Sequence, residues 1–284
     1  MIRIVEVGPR DGLQSELATI ATDAKVAYID ALSLAGLPEI EASAFVSPKW
    51  VPQLADAEEV FRRIRRAPGV TYSALVPNER GLERALAAKV DKIAVFTAAS
   101  ETFNRRNINA SIEESIRRFA PVIEGARRAT LPVRGYVSTA FWCPYEGRVS
   151  AEKVVDLCSR LIDAGVDEIS VGDTIGKAVP DEVKGLLEKL FSSIPKERLA
   201  LHFHDTYGHA VENVLVSWKL GITTFDSSAG GIGGCPFAPG ASGNVATEAV
   251  VEALRGAGAE VPVDLPALTV ARRIIAPVLG RPPS

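Results

Sequence analysis

The sequence predicts a single (β/α)8 barrel, and three observations carry that reading. Short apolar runs alternate with amphipathic stretches of helical length from end to end, with no low-complexity segment and no linker rich in Pro, Gly or Ser. About eight such units occur, and consecutive parallel strands need helical crossovers of this length. The 284 residues suit one catalytic barrel domain over 1–284, since such barrels take about 250 residues. A doubly wound open sheet is the alternative.

In order along the chain, strand-like runs fall at 2–7, 39–42, 71–76, 92–96, 133–139, 168–171, 199–203 and 223–226. Helical stretches lie between them at 23–36, 56–66, 112–128, 151–165, 180–191 and 209–221, with a short C-terminal helical extension at about 265–284. Three of the stretches end at a glycine, Gly36, Gly165 or Gly221, a residue suited to the left-handed turn that stops a helix.

Composition excludes several classes. A hydrophobic content of 47% with 24% charged residues is ordinary for a globular chain with a large core. A net charge of −3 argues against nucleic acid as the main partner. Cys143, Cys158 and Cys235 show neither C-x-x-C spacing nor an even count, so neither a disulfide framework nor a thiolate zinc site is expected. The start of the chain lacks a signal-peptide pattern, and no apolar run reaches the ~20 residues of a membrane span. A cytoplasmic protein without a membrane partner is expected.

The glycine-rich run GGIGGCPFAPGASGN, 230–244, is not a phosphate loop, because it contains no Lys. Nor is it a dinucleotide fingerprint, since Gly231-Ile232-Gly233 is followed at the third position by Pro236. Chemistry in a barrel sits at the carboxyl ends of its strands. Arg10 and Asp11 follow the first strand, Glu41 closes the second, Asp173 follows the sixth, and His202 and His204 end the seventh. Charges at such positions are costly to bury without partners, so a shared site accounts for them better than accident.

The sharpest cluster is LHFHD, 201–205, where residues two apart on a strand point to one face. All three histidines of the chain lie between 202 and 209, which favours metal ligation over a buried, hydrogen-bonded pair. His209 is placed at a helix start. Asp11 and the amide oxygen of Asn244 would complete a mixed N and O ligand set; its open positions suit Mn²⁺ or Mg²⁺, with Mn²⁺ the more natural match to two imidazoles. The alternatives for Asp11 and Asn244 are turn and cap residues. Arg10, beside Asp11, could stabilise an enolate rather than form a surface ion pair. Metal, arginine and thiol together describe carbon–carbon chemistry at a carbonyl.

The motifs VEVGPRDGLQ (5–14), AFVSPKWVPQ (44–53), RRNINASIEES (105–115), VRGYVSTAFWCPYEG (133–147), ISVGDTIG (169–176), HFHDTYG (202–208) and the glycine-cysteine run closely resemble the hydroxymethylglutaryl-CoA lyase family. The resemblance runs over nearly the whole chain. It implies a divalent metal, Mg²⁺ or Mn²⁺, on Asp11, His202, His204 and Asn244, with Arg10 holding the enolate of departing acetyl-CoA. It makes Cys235 a proton-transfer group carried on a closing loop, His202 a catalytic group as well as a ligand, and Glu41 and Asp173 acidic residues of the site. The implied reaction cleaves 3-hydroxy-3-methylglutaryl-CoA to acetoacetate and acetyl-CoA, as in leucine degradation, and relatives suggest a homodimer. Lys49, Arg105 and Arg106 are candidates for the coenzyme A phosphates. Trp142 stands where members of the family commonly have glycine, and is expected to reshape the acyl pocket. The open alternatives are a lyase for a different branched 3-hydroxyacyl-CoA, a condensing synthase of the same superfamily, and a barrel that binds without turnover.

Overall fold

The computed structural model describes residues 1–16, 19–233 and 243–280. In chain order its first half holds β1 (Arg3–Glu6), α1 (Thr22–Leu32), β2 (Glu39–Ala44), α2 (Ala57–Arg63), β3 (Thr71–Leu75), α3 (Glu79–Ala87), β4 (Lys92–Ala98), α4 (Glu101–Ile108), α5 (Ile112–Arg128) and β5 (Val133–Ser138). The second half holds β6 (Trp142–Cys143), β7 (Gly147–Arg148), α6 (Ala151–Asp163), β8 (Glu168–Asp173), α7 (Pro180–Leu190), β9 (Leu199–Phe203), α8 (Ala210–Lys219), β10 (Thr224–Ser227), α9 (Thr247–Gly256) and α10 (Leu265–Ile275). Eight strands close in the order β1-β10-β9-β8-β5-β4-β3-β2, all parallel, and β6 pairs with β7 in a separate antiparallel hairpin. The barrel replaces the open-sheet alternative because β1 and β10 pair along their whole length, Arg3 with Thr224 through Glu6 with Ser227.

All eight expected strands are present. β2, β4 and β8 each run further than apolarity suggests, to Ala44, Ala98 and Asp173. Glu41 therefore sits inside β2 rather than closing it, next to a register irregularity between Glu41 and Ser43. A bulge of this kind re-aims a side chain without ending the strand. Polar residues that face one another inside a barrel extend strands past the reach of a hydrophobicity rule.

Helix ends are set by local chemistry. In α5 the Ser111 hydroxyl accepts from the Glu114 N–H while the Glu114 carboxylate accepts from the Ser111 N–H, a capping box. Phe119, Val122, Ile123 and Ala126 of that helix are buried, and a Phe or Val side chain removed from water contributes about 1.5–3 kcal/mol. The helix expected over 56–66 stops at Arg63, where Ile64 turns to extended backbone. α3, α4 and α9 lie outside the expected set; Asn78 and Ser100 cap the first two by accepting from the Gly81 and Phe103 N–H groups. The C-terminal extension contains α10, capped by Asp264 and packed on α1. No helix of the described residues is long and apolar enough to cross a membrane.

The amino-terminal layer of the barrel interior is charged. Arg3, Glu39, Lys92, Arg134, Glu168 and Asp226 project inward from the early residues of their strands. Glu39 and Glu168 each meet both Arg3 and Lys92 at 2.9–3.0 Å, and Arg134 bridges Glu168 at 3.1 Å and Asp226 at 2.6 Å. Three cations face three carboxylates, which is how buried charges are tolerated.

Candidate active site at the carboxyl end of the barrel

Just after β1 the backbone makes one wide helical turn over Gly8–Gly12, in which the Gly12 N–H reaches back to the Val7 carbonyl at 3.2 Å. This turn aims Arg10 and Asp11 into the barrel mouth. Glu6 holds it from beneath: its carboxylate accepts from the Gly8 and Ala229 N–H groups and from the Thr247 hydroxyl. Burial pushes the Glu6 carboxyl up to about 8, against those hydrogen bonds.

Asp11, His202 and His204 bring one donor atom each within 4.8 Å of the others. The two imidazole rings lie 5.2 Å apart. Asn244 joins them through a bridge to His204, and its Nδ2 donates to Asp11 Oδ2 at 3.0 Å and to the Ile232 carbonyl at 3.1 Å. Close approach here depends on Gly233, whose φ is +108° and where a Cβ would fall 2.8 Å from Asn244 Nδ2. Gly176 does the same on the other side, since a Cβ there would lie 2.8 Å from the His204 carbonyl oxygen.

The donor set fits a divalent cation. Asn244 Oδ1 and His204 Nδ1 are buried without a hydrogen-bond partner, and buried polar atoms are seldom left so. Burial and the neighbouring His202 push His204 down to about 4, so it is neutral at pH 7, the form in which an imidazole can bind a metal. Burial pushes the Asp11 carboxyl up, but Arg10 and the two histidines outweigh it and hold it well below the usual carboxylate range. Arg10 keeps its proton: burial opposes the charge, while Glu41 and Asp11 more than compensate.

Arg10 is clamped on several sides. Its Nε donates to Glu41 Oε2 at 2.7 Å, its Nη1 to Asp11 Oδ1 at 2.7 Å, and its guanidinium lies 5.2 Å from the Tyr136 ring centre. The Tyr136 hydroxyl donates to the same Glu41 oxygen at 3.0 Å. Glu41 is thus buried beneath Arg10. Both oxygens of Asp173 accept backbone N–H groups, from Lys177 at 3.2 Å and Ala178 at 2.9 Å, and burial raises this carboxyl to about 6.

A cleft of about 1070 Å³ opens from Arg10, Asp11, His202 and His204 and runs outward past Arg105 and Arg106. Arg106 stacks over Tyr145 at 4.2 Å, and Arg105 lies 4.0 Å from Glu101. Lys49 is not among the lining residues; it is exposed on the loop after β2, which instead turns Trp50 toward the cleft. Trp142 also departs from expectation. Its indole donates to Glu182 at 3.1 Å and Lys177 sits 4.1 Å over its ring, so it packs in β6, off the cleft wall. Cys235 lies outside the described residues.

A family model described as HMGL-like matches residues 1–275. The chain belongs to the HMGL-like family, that of the hydroxymethylglutaryl-CoA lyases. A relative from Rattus norvegicus, named mitochondrial hydroxymethylglutaryl-CoA lyase, is 50% identical over 280 residues, 99% of this chain and 86% of its own. One from Pseudomonas aeruginosa, named 3-hydroxy-3-isohexenylglutaryl-CoA/hydroxy-methylglutaryl-CoA lyase, is 51% identical over 280 residues, 99% and 93% of the two chains. The crystal structure of the HMG-CoA lyase from Brucella melitensis superposes with a TM-score of 0.96 at 49% identity, covering 98% and 99%. This HMGL-like chain adds inward groups that motif reading overlooks: Gln14, Arg134, Tyr136, Ser170 and Asp226. The available signal is alternation, since Arg134 and Tyr136, Glu168 and Ser170, and Thr224 and Asp226 are polar at every second position of otherwise apolar strands.

Proposed function

We propose that this chain cleaves 3-hydroxy-3-methylglutaryl-CoA to acetoacetate and acetyl-CoA with the help of Mg²⁺ or Mn²⁺. The observation that carries the proposal is the convergence of Asp11, His202, His204 and the orphaned Asn244 oxygen beside a clamped arginine at the base of a long cleft. Bound by those four donors, a divalent cation supplies polarisation of the substrate's C3 hydroxyl and carboxylate.

The remaining chemistry falls to the protein. When the C3 hydroxyl gives its proton to solvent in the cleft and C3 becomes a ketone, the C2–C3 bond breaks and its electron pair passes to C2 and the thioester carbonyl as an enolate. Arg10 holds that developing charge, fixed in place by Glu41 and Tyr136 so that it need not reorganise. By the family resemblance, Cys235 returns a proton to the enolate carbon. Asp173 serves the site by fixing the backbone that seats Gly176 against His204. Arg105 and Arg106 meet the phosphates of coenzyme A along the cleft, and Lys49 meets any that extend onto the surface. The family resemblance carries a homodimer, a cytoplasmic location and a place in leucine degradation.

The test is acetoacetate release after chelation, with and without added Mg²⁺ or Mn²⁺, beside Arg10→Gln. Metal-restored release that the variant lacks supports the reading; tight acyl-CoA binding without release overturns it. A second reading, a bulkier group on C3, draws on the relative from Pseudomonas aeruginosa and on Val46, Leu75 and Phe96 in the cleft wall. Its measure is kcat/KM for a longer 3-alkyl analogue, and a value at least equal to that for the methyl substrate would favour it.

A further inference from the structure

His202 has two ring nitrogens and only one can serve the donor cluster. Its Nδ1 is buried, has no aligned hydrogen-bond partner, and lies 3.3 Å from Asp226 Oδ2. His202 and Asp226 are register partners on β9 and β10, so their side chains point inward together from adjacent strands. Asp226 itself is held from two further strands. Arg134 on β5 donates to its Oδ1 at 2.6 Å, and the Ser170 hydroxyl on β8 donates to its Oδ2 at 2.8 Å. The carboxylate is completely buried. It therefore has one orientation, and that orientation presents an oxygen to His202 Nδ1.

We infer that Asp226 is a positioning residue for the metal centre: it accepts from Nδ1–H of His202, fixes that tautomer and ring orientation, and leaves Nε2 as the nitrogen free to bind the cation. The inference rests on the divalent-metal reading of the site. A carboxylate behind a metal-bound imidazole commonly changes affinity 10–100-fold. Arg134, anchored in turn by Glu168, is then the mounting of Asp226.

The experiment compares wild type, Asp226→Asn and Glu39→Gln, all chelated and then titrated with Mn²⁺ alone, reading free Mn²⁺ by electron paramagnetic resonance. Glu39 sits in the same charged layer but does not contact Asp226. Asp226→Asn should weaken Mn²⁺ roughly 10–100-fold, while Glu39→Gln stays within about twofold even if its Tm falls. Equal weakening in both variants, or none in Asp226→Asn, overturns the assignment. Failure of wild type to bind Mn²⁺ overturns the metal reading itself and the assignment with it. A measurement on wild type alone guards against a variant that does not fold. With three histidines in the chain, ¹⁵N shifts of the metal-free protein should show His202 protonated at Nδ1, and a proton at Nε2 instead would refute the role.

Discussion

The two ends of the barrel interior treat buried charge in opposite ways. In the amino-terminal layer Arg3, Lys92 and Arg134 balance Glu39, Glu168 and Asp226, and each ion has a partner within 3.1 Å. At the carboxyl mouth one guanidinium, Arg10, faces two carboxylates, and Asn244 Oδ1, Glu41 Oε1 and Gln14 Oε1 have no partner. The first arrangement balances three cations against three carboxylates, although Glu39 Oε1 and Arg134 Nη1 carry no hydrogen bond. The second leaves an excess carboxylate and unpaired polar atoms beside the cleft, and the difference separates charge balanced within the fold from charge turned toward the site.

The largest effect should come from breaking the balanced end. Arg134→Met leaves Asp226 and Glu168 without their shared cation, and removing one member of a buried pair costs about 3–5 kcal/mol. Chemical denaturation should show that loss, and a change below 1 kcal/mol would mean the layer is not the scaffold described. Next, Arg10→Gln should lower kcat roughly 10²–10³-fold, about 3–4 kcal/mol, by the measure of a lost oxyanion donor. Its Tm should fall too, because Arg10 is the partner of the buried Glu41; a fall larger than that of Arg134→Met would erase the distinction. Third, Mn²⁺ at a hundred times its Kd should stabilise the chelated protein by about 2.7 kcal/mol. His204→Ala should abolish that gain, read as a Tm shift, whereas Glu39→Gln should keep it.

The smallest effect concerns pH. The Glu6 carboxyl titrates near 8 in the folded protein against an ordinary value of 4.5. The folded state therefore holds a proton that the unfolded state releases, and the stability this gives is complete below 4.5 and lost as pH rises through 8. Between pH 6.5 and 8 the loss is about 2 kcal/mol. His204, lowered from 6.5 to about 4, acts in the other direction, adding stability as pH rises from 4 to 6.5. Denaturation across pH 6.5–8 should show the decline in wild type and a shallower one in Glu6→Gln, the remainder coming from His202, which burial pulls down but Asp226 and Asp11 hold above its ordinary value. A decline of equal size in the variant would place its source elsewhere.

Much of the mouth is legible in the sequence because its residues stand in long motifs at strand ends. Arg10, Asp11, His202, His204 and Asn244 come together where alternation and the barrel rule put them. The balanced layer is not legible the same way. Arg134 and Asp226 lie 92 residues apart, and only barrel closure shows that they meet. Lys49 and Trp142 stand off the cleft wall for a related reason. Their motifs fix the loop on which they sit but not its orientation, which is set by contacts such as the indole of Trp142 with Glu182. The β6–β7 hairpin and α4 are also hidden, being short elements whose ends depend on caps such as Ser100.

The hydrogen bond between Asn244 and Asp11 joins residues 233 apart. At a synthesis rate of about 5–20 residues per second, roughly 10–50 s separate the emergence of its two ends from the ribosome. Throughout that interval the nascent chain lacks Asn244, and for most of it either histidine as well. A half-made chain therefore presents only part of the donor cluster, which assembles when the last strand has closed the ring. The cluster is thus a property of the completed barrel and of no fragment of it.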